Sequence, residues 1–277
     1  MLQIGLTARR YDAVVSQNFT PLTGRGQFIR ATFLHDALFR DRPQWFTLSE
    51  RLYLGVASLT LPRARRVLTS SKAEADRIRR VFPRVRARVA AVGLSVPLDL
   101  DQPGGVPSLV AIERPFILAV GRLNVRKNIQ RLIRVFSRGG LAERFDLIIV
   151  GAPDGKSEAV TDVAGVHFTG HVTDSELISL YSQCEFFVFP SLGEGFGLPL
   201  LEAARFGAPS AASDIPPFRE INTAAVYFDP HDDKSMAEGL AEMASQHRRS
   251  ANGSKGVPAV ALSWADVAVA ARSAMFD

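Results

Sequence analysis

The stretch EFFVFPSLGEGFGLPLLEAARFGAPSAAS, Glu185 to Ser213, decides the fold. A β-rich apolar run (185–189) leads into a glycine-rich loop. A helix follows with Pro199 in its first turn, where a missing N–H costs nothing, and a second short apolar run closes the stretch at 209–213. Strand, loop, helix, strand is a βαβ unit, and its strands lie parallel. Inside it, GEGFGLPLLE sets Glu194 and Glu202 eight residues apart. On one continuous helix they would stand about 80° apart. Gly195, Gly197 and Pro199 instead put Glu194 on a loop facing a helix N-terminus and Glu202 about one turn inside that helix. The amides of Phe196, Gly197 and Leu198 then point outward with the positive end of the helix dipole, an anion site.

The same alternation extends on both sides. PFILAV, FDLIIV, VHFT and AVYF read as further strands, and helical periodicity appears near 128–138, 174–183, 199–206 and 233–245. Thr173 with Glu176 forms a capping-box pattern, and Ser263 precedes a closing helix that begins near Trp264. The first part of the chain is also α/β: YDAVVSQ, IRATFLHD and RVLTSS read as strands, and Ser71 with Glu74 starts a helix that runs to about Val81. DLDQPGGVP, Asp99 to Pro107, has linker composition. The expected division is residues 1–105 as one Rossmann-like domain, 106–260 as a second, and 261–277 as a C-terminal helix. Two domains suit 277 residues.

In an open parallel sheet, ligands bind beyond the carboxyl ends of the strands. That rim carries Gly121, Arg122, Lys127 and Asn128 after PFILAV, Gly151 after FDLIIV, Gly170 and His171 after VHFT, and Asp214 after PSAAS. Arg122 and Lys127 suit a diphosphate, and a carboxylate one turn into the phosphate-holding helix can accept from ribose hydroxyls. The residues therefore point to a nucleoside-diphosphate site.

Composition bounds the partners. Eighteen Lys/Arg against nine Asp/Glu precede Pro115, so the net charge of +5 sits in the first part of the chain. The densest segment, RARRVLTSSKAEADRIRRVFPRVRARV, reads as a solvated helix face or as a dock for phospholipid or an acidic acceptor. Only one aromatic residue, Phe82, falls among its arginines and no recognition motif appears, so nucleic acid is not expected. One cysteine, Cys184, fits a reducing compartment and a small buried side chain. With no signal-peptide order in MLQIGLTARRYDAVV and no apolar run near the ~20 residues that span a bilayer, the expected location is cytoplasmic, with peripheral contact at the inner membrane face as a variant and an oligomer as an option. Histidines at 35, 167, 171, 231 and 247 never reach metal-ligand spacing, and Asp99-Leu100-Asp101 lies in linker composition. No metal site is expected.

Several segments in the right order, GRLNVRKN, GHVTDSELISLY, FVFPSLGEGFGLPLLEAARFGAPSAASDIPPFREI and the Ser263-Trp264 pair, resemble the donor domain of GT-B retaining glycosyltransferases of family GT4 (glycosyltransferase group 1), whose signature is Glu-x7-Glu. ATFLHD, VLTSSKAEADRI and VAAVGLSVP carry the likeness into the first part. The resemblance implies two Rossmann-like domains facing a cleft, a partial acceptor-binding one over 1–105 and a nucleotide-sugar donor-binding one over 106–260. It also implies a retaining hexosyl transfer from a nucleotide-diphosphate sugar to a glycan, lipid or small-molecule acceptor hydroxyl, in glycan, polysaccharide or glycolipid synthesis, without a metal. Residue by residue, it gives Arg122 and Lys127 the pyrophosphate, Glu202 the ribose, Glu194 the transferred sugar, Val172 after Gly170 and His171 the base, and His35 of the HD pair the reacting centre. Relative to the family pattern the N-terminal domain is short by some 80 residues. That shortening favours the alternative, a non-catalytic nucleotide-sugar-binding module acting as a partner or regulator.

Overall fold

The computed structural model describes residues 11–21, 28–96, 114–156, 163–222, 224–250 and 262–276, with the side chains of 247–250 left out. The linker-like Asp99–Pro107, its Asp-x-Asp pair, the N-terminal ten residues and the His247 side chain lie outside the described residues. The chain forms two compact units. The first gathers Met1–Ser95, Glu194–Phe196 and Leu262–Asp277; the second gathers Val96–Gly193 and Gly197–Ala261.

In the first unit, β1 (Ala13–Gln17), β2 (Ile29–Phe33), β3 (Arg66–Thr69) and β4 (Val89–Ala91) form a parallel sheet in that order. Between β2 and β3 come α1 (Leu38–Asp41) and α2 (Leu48–Thr60), and between β3 and β4 comes α3 (Lys72–Val81). α2 starts on a full capping box in which Thr47 accepts from the Glu50 amide and Glu50 accepts from the Thr47 amide. Leu34, Ala37, Val67, Ala75, Ile78 and Val85 make the core beneath α2 and α3. Ala31, Leu68 and Val92 make a smaller one with Ala270, Ala271, Ala274 and Met275 of the closing helix α9 (Trp264–Phe276). Arg66 Nε donates 2.8 Å to the Ala274 carbonyl, so α9 is fastened to β3. Ser263 caps it, accepting from the Asp266 amide at 3.1 Å.

Strands read from the sequence in this unit end earlier than expected, at Phe33 and Thr69, because the chain turns off the sheet into loops that carry His35 and Ser70. α2 and β4 escape a periodicity reading. α2 buries Ala57 and Thr60 but leaves Leu48, Leu52, Val56 and Leu59 exposed, so its leucines do not mark its inner face. The basic segment is largely bonded within the unit: Arg79 to Asp76 and the Val89 carbonyl, Arg80 to Asp41, and Arg88 to the carbonyls of Pro62 and Ala64. Fewer of its charges face outward than composition alone suggests.

The second unit holds β5 (Phe116–Val120), β6 (Asp146–Val150), β7 (Val166–Gly170), β8 (Phe186–Phe189), β9 (Ser210–Ser213) and β10 (Val226–Phe228), parallel, in spatial order β10-β9-β8-β5-β6-β7. The order in which the chain lays down its strands reverses between β5 and β8, the crevice where such sheets bind ligands. Burial on both faces explains the unbroken apolar runs. Ile117 and Ala119 pack under α4 (Ile129–Arg138) and α8 (Asp233–Ser250). Phe116 and Leu118 pack with α5 (Asp174–Gln183), α6 (Leu198–Arg205) and α7 (Pro216–Ile221). The Thr173–Glu176 capping box is present in full. α7, too short to register as a period, is an addition to the sequence reading, and α8 runs beyond the expected 245 to Ser250. Cys184 is buried, and its Sγ donates to the Tyr181 carbonyl at 3.3 Å.

Candidate functional site

Within the second unit, the loop after β5 turns through a single 3₁₀ turn, Val125–Lys127, and ends on Asn128 in the left-handed region (φ 59°). Asn128 tolerates that conformation, and its side-chain amide donates to the carbonyls of Pro190 (3.1 Å) and Pro230 (2.9 Å), tying the loop to the ends of β8 and β10. The turn carries Lys127 inward. Its side chain is 8% exposed, with Nζ 4.6 Å from the centre of the Phe189 ring, a cation–π contact that partly offsets its lost hydration. Gly121 makes the room: its φ is 148°, and a Cβ there would fall 2.9 Å from Lys127 Cε.

α6 begins at Gly197, whose φ of 125° and closeness to Phe218, 2.7 Å from where a Cβ would sit, admit only glycine. Among the described residues no hydrogen bond uses the Gly197 or Leu198 amide, so this end of the helix presents open donors. One turn on, Glu202 is 7% exposed. Tyr181 donates to its Oε2 over 2.9 Å, while Oε1 has no partner among the described residues. Burial pushes the Glu202 carboxyl above its usual range; the Tyr181 hydrogen bond and the Lys127 charge pull it down, and Asp174 adds to the rise. A buried cation and a buried carboxylate thus share one end of the sheet with an open helix N-terminus.

The other expected residues of this unit are more exposed. Arg122 pairs with Asp154 at 2.8 Å on the surface, and such exposed pairs are worth about 0–1 kcal/mol, so an anion can displace Asp154 at small cost. Gly170 (φ 68°) accepts from the Gly151 amide, His171 is exposed, and Val172 packs against the core around Leu180 and Tyr181. The rim residue Asp214 is held bidentately by Arg219 at 2.8 Å.

Glu194 and Phe196 pack with the first unit, as does His35. Glu194 is 7% exposed, and its backbone carbonyl accepts from Arg77 at 3.2 Å. His35 lies in the loop after β2 with its ring edge-on to Phe33, centroids 5.0 Å apart. Partial desolvation lowers its pKa, against a smaller upward pull from Asp36. The sequence reading missed Tyr181 and Arg77. Only their places on helices precede them in sequence, and no motif marks either contact.

Among the described residues no group of three His, Cys, Asp or Glu side chains is placed to hold a metal ion, and no helix is long and apolar enough to cross a membrane.

The profile of the family described as Glycosyl transferases group 1 matches residues 108–255. The chain belongs to that family. It is 30% identical over 189 residues to the serotype-specific mannosyltransferase WbdA of Escherichia coli, covering 64% of this chain and 23% of that one. It is 30% identical over 233 residues to the MMP alpha-(1->4)-mannosyltransferase of Mycolicibacterium hassiacum, covering 75% and 55%. Among solved structures it is similar to sucrose-phosphate synthase from Thermosynechococcus elongatus, with TM-score 0.63, 20% identity, and 86% of this chain against 66% of that one. It is also similar to TarM, with TM-score 0.59, 15% identity, and coverage of 96% and 55%. At these identities the structural likeness speaks for the GT-B fold. The chain spans from about a quarter to just over half of the two curated relatives' length.

Proposed function

We propose that this transferase moves a hexose, with retention at the anomeric carbon, from a nucleotide-diphosphate sugar to an acceptor hydroxyl in glycan, polysaccharide or glycolipid synthesis. One observation carries the reading: Lys127 and Glu202, both under 10% exposed, sit beyond the β5–β8 reversal beside the open N-terminus of α6. A nucleoside diphosphate supplies anionic phosphates that suit the Lys127 ammonium and hydroxyls that suit the Glu202 carboxylate. The mannosyltransferase names of the curated relatives favour a mannosyl donor.

In the proposed reaction the bond between the anomeric carbon and the diphosphate oxygen breaks, and the acceptor oxygen bonds the same face of that carbon. The acceptor proton passes to an oxygen of the departing diphosphate. The protein's part is electrostatic: Lys127, Arg122 and the α6 amides meet the charge that grows on the leaving diphosphate, and such pre-placed donors act most strongly where water is excluded. Glu202 holds the ribose, Val172 with Gly170 and His171 borders the base, and Glu194 and His35 serve the sugar.

Calorimetry with UDP and GDP, beside a transfer assay with GDP-mannose and UDP-glucose whose product anomer is read by NMR, tests this. Nucleotide binding with turnover and a retained anomer is expected; an inverted product overturns the mechanism, and absence of nucleotide binding overturns the site. The curated relatives are transferases by name, and none of them favours the binding-module alternative.

A further inference from the structure

Tyr181 stands apart from the residues assigned above. It lies in the last turn of α5, 1% exposed, with its ring stacked on Phe206 (6.0 Å between centroids, 13°) and edge-on to Phe187 (5.6 Å). A buried phenol hydroxyl must find a partner, and this one spends its proton on Glu202 Oε2 rather than on a backbone carbonyl. The consequence is asymmetric: one carboxylate oxygen is committed to the protein and the other is left without a protein partner among the described residues.

We propose that Tyr181 is a positioning residue of the nucleotide site, its hydroxyl fixing Oε2 of Glu202 so that Oε1 is presented to the ribose hydroxyls of the donor. This rests on the reading of Glu202 as the ribose-holding group. The rigidity of the pair is physical. The phenol ring has one stacked and one edge-on aromatic neighbour, the Cys184 thiol donates to the Tyr181 backbone carbonyl, and Glu202 sits in mid-helix, so neither end of the hydrogen bond can turn freely. The charged and titratable groups that bear on the carboxylate are Tyr181 itself, Lys127 and Asp174. Burial raises the Glu202 carboxyl and the phenol restrains that rise, so removing the hydroxyl leaves a carboxylate that takes up a proton more readily and accepts from ribose less well in acid.

Tyr181→Phe tests this, because it keeps both ring contacts and deletes one oxygen. The probes are UDP and GDP and the 2′,3′-dideoxy form of whichever binds, titrated by calorimetry between pH 5.5 and 8. For the ribose form the variant should bind about 5- to 30-fold more weakly, less than the full worth of one charge-assisted hydrogen bond because the Glu202–ribose contact is weakened and not deleted, with the deficit growing as pH falls. For the dideoxy form it should bind within about twofold of wild type, since the ligand offers nothing for Glu202 to hold. In a Glu202→Gln background, Tyr181→Phe should change ribose-form affinity by less than about twofold. Equal weakening for both ligand forms would mean a merely structural tyrosine, and unchanged affinity for the ribose form would mean no role; either overturns the proposal. A wild-type chain that binds both ligand forms equally removes instead the reading of Glu202 on which the proposal stands.

Discussion

The Ser71 hydroxyl donates to the Gly195 carbonyl over 2.7 Å and accepts from the Glu74 amide at 3.0 Å, so a single oxygen both caps α3 and holds the segment that carries Glu194. Within the same unit Ser70 donates to that carbonyl at 3.2 Å, and Arg77 donates to the Glu194 carbonyl. Gly195 presses against the loop after β2: a Cβ there would fall 2.4 Å from the His35 carbonyl. Two of the residues assigned to the sugar are thus brought together through their backbones, with both carbonyls of the Glu194-Gly195 pair fixed by side chains.

Ser71→Ala therefore removes two functions at once. Loss of the cap costs about 0.5–2 kcal/mol, and loss of the donor lets the Glu194 segment move. Melting temperature should fall and transfer rate should drop by about tenfold, while nucleotide affinity, set by Lys127 and Glu202, stays within about twofold. Ser71→Thr keeps both hydrogen bonds and should restore transfer. A Ser71→Ala enzyme that melts earlier yet transfers at the wild-type rate would show that the contact serves only stability.

Glu194→Gln keeps size and backbone contacts and removes the charge. Transfer should be abolished with nucleotide affinity nearly unchanged, measured by donor turnover beside calorimetry. Wild-type turnover in this variant would remove Glu194 from the site.

Much of this was legible in the sequence, and the boundary between what was and was not is physical. β5, β6 and β8 read plainly because strands buried on both faces need unbroken apolar runs. The α5 start read plainly because Thr173 and Glu176 satisfy each other's backbone donors locally, a pattern confined to four residues. Glu202 on a helix and Glu194 on a loop followed from glycine and proline alone. α2 did not read because its exposed leucines contradict the usual rule that leucine marks the inner face. Tyr181 with Glu202, and Ser71 with Gly195, did not read because those contacts join residues 21 and 124 positions apart, which no local pattern encodes.

Lys127 should dominate diphosphate affinity. Charge-assisted hydrogen bonds are worth about 1.5–3 kcal/mol, so Lys127→Ala should weaken UDP or GDP binding about 10- to 100-fold. Arg122→Ala should do less, because Arg122 is exposed and already shared with Asp154. Calorimetry on the two variants checks the ranking; a larger loss at Arg122 would reverse it.

Transfer should not require a divalent cation. On the proposed reading, Lys127, Arg122 and the open amides of α6 would give the donor's phosphates the positive charge that Mg²⁺ supplies elsewhere. The rate in chelator should match the rate in Mg²⁺ within about twofold. Activity abolished by chelator and restored by Mg²⁺ or Mn²⁺ would contradict this.

Stability should fall as pH rises, and Glu74 is the reason. Its side chain is fully buried at the start of α3, accepting from the Ala37 amide and paired with Arg77, which also meets Asp41. Burial pushes its carboxyl up to about 8, with Asp36 adding to the rise and Arg77 and the Ala37 amide opposing it. A carboxyl whose folded pKa lies above its unfolded value binds its proton more tightly in the native state. That stabilisation is complete below the unfolded value of about 4.5 and is lost as pH climbs through about 8. His35, held low, works the other way near pH 6.5, so the comparison must isolate Glu74. Melting temperature of the wild type should decline between pH 5 and 8.5 relative to Glu74→Gln, which has no proton to lose there and should show a flatter curve. Parallel curves for the two proteins across that range would mean that Glu74 stays ionised throughout, held by Arg77, and that burial is the weaker of the two effects at this site.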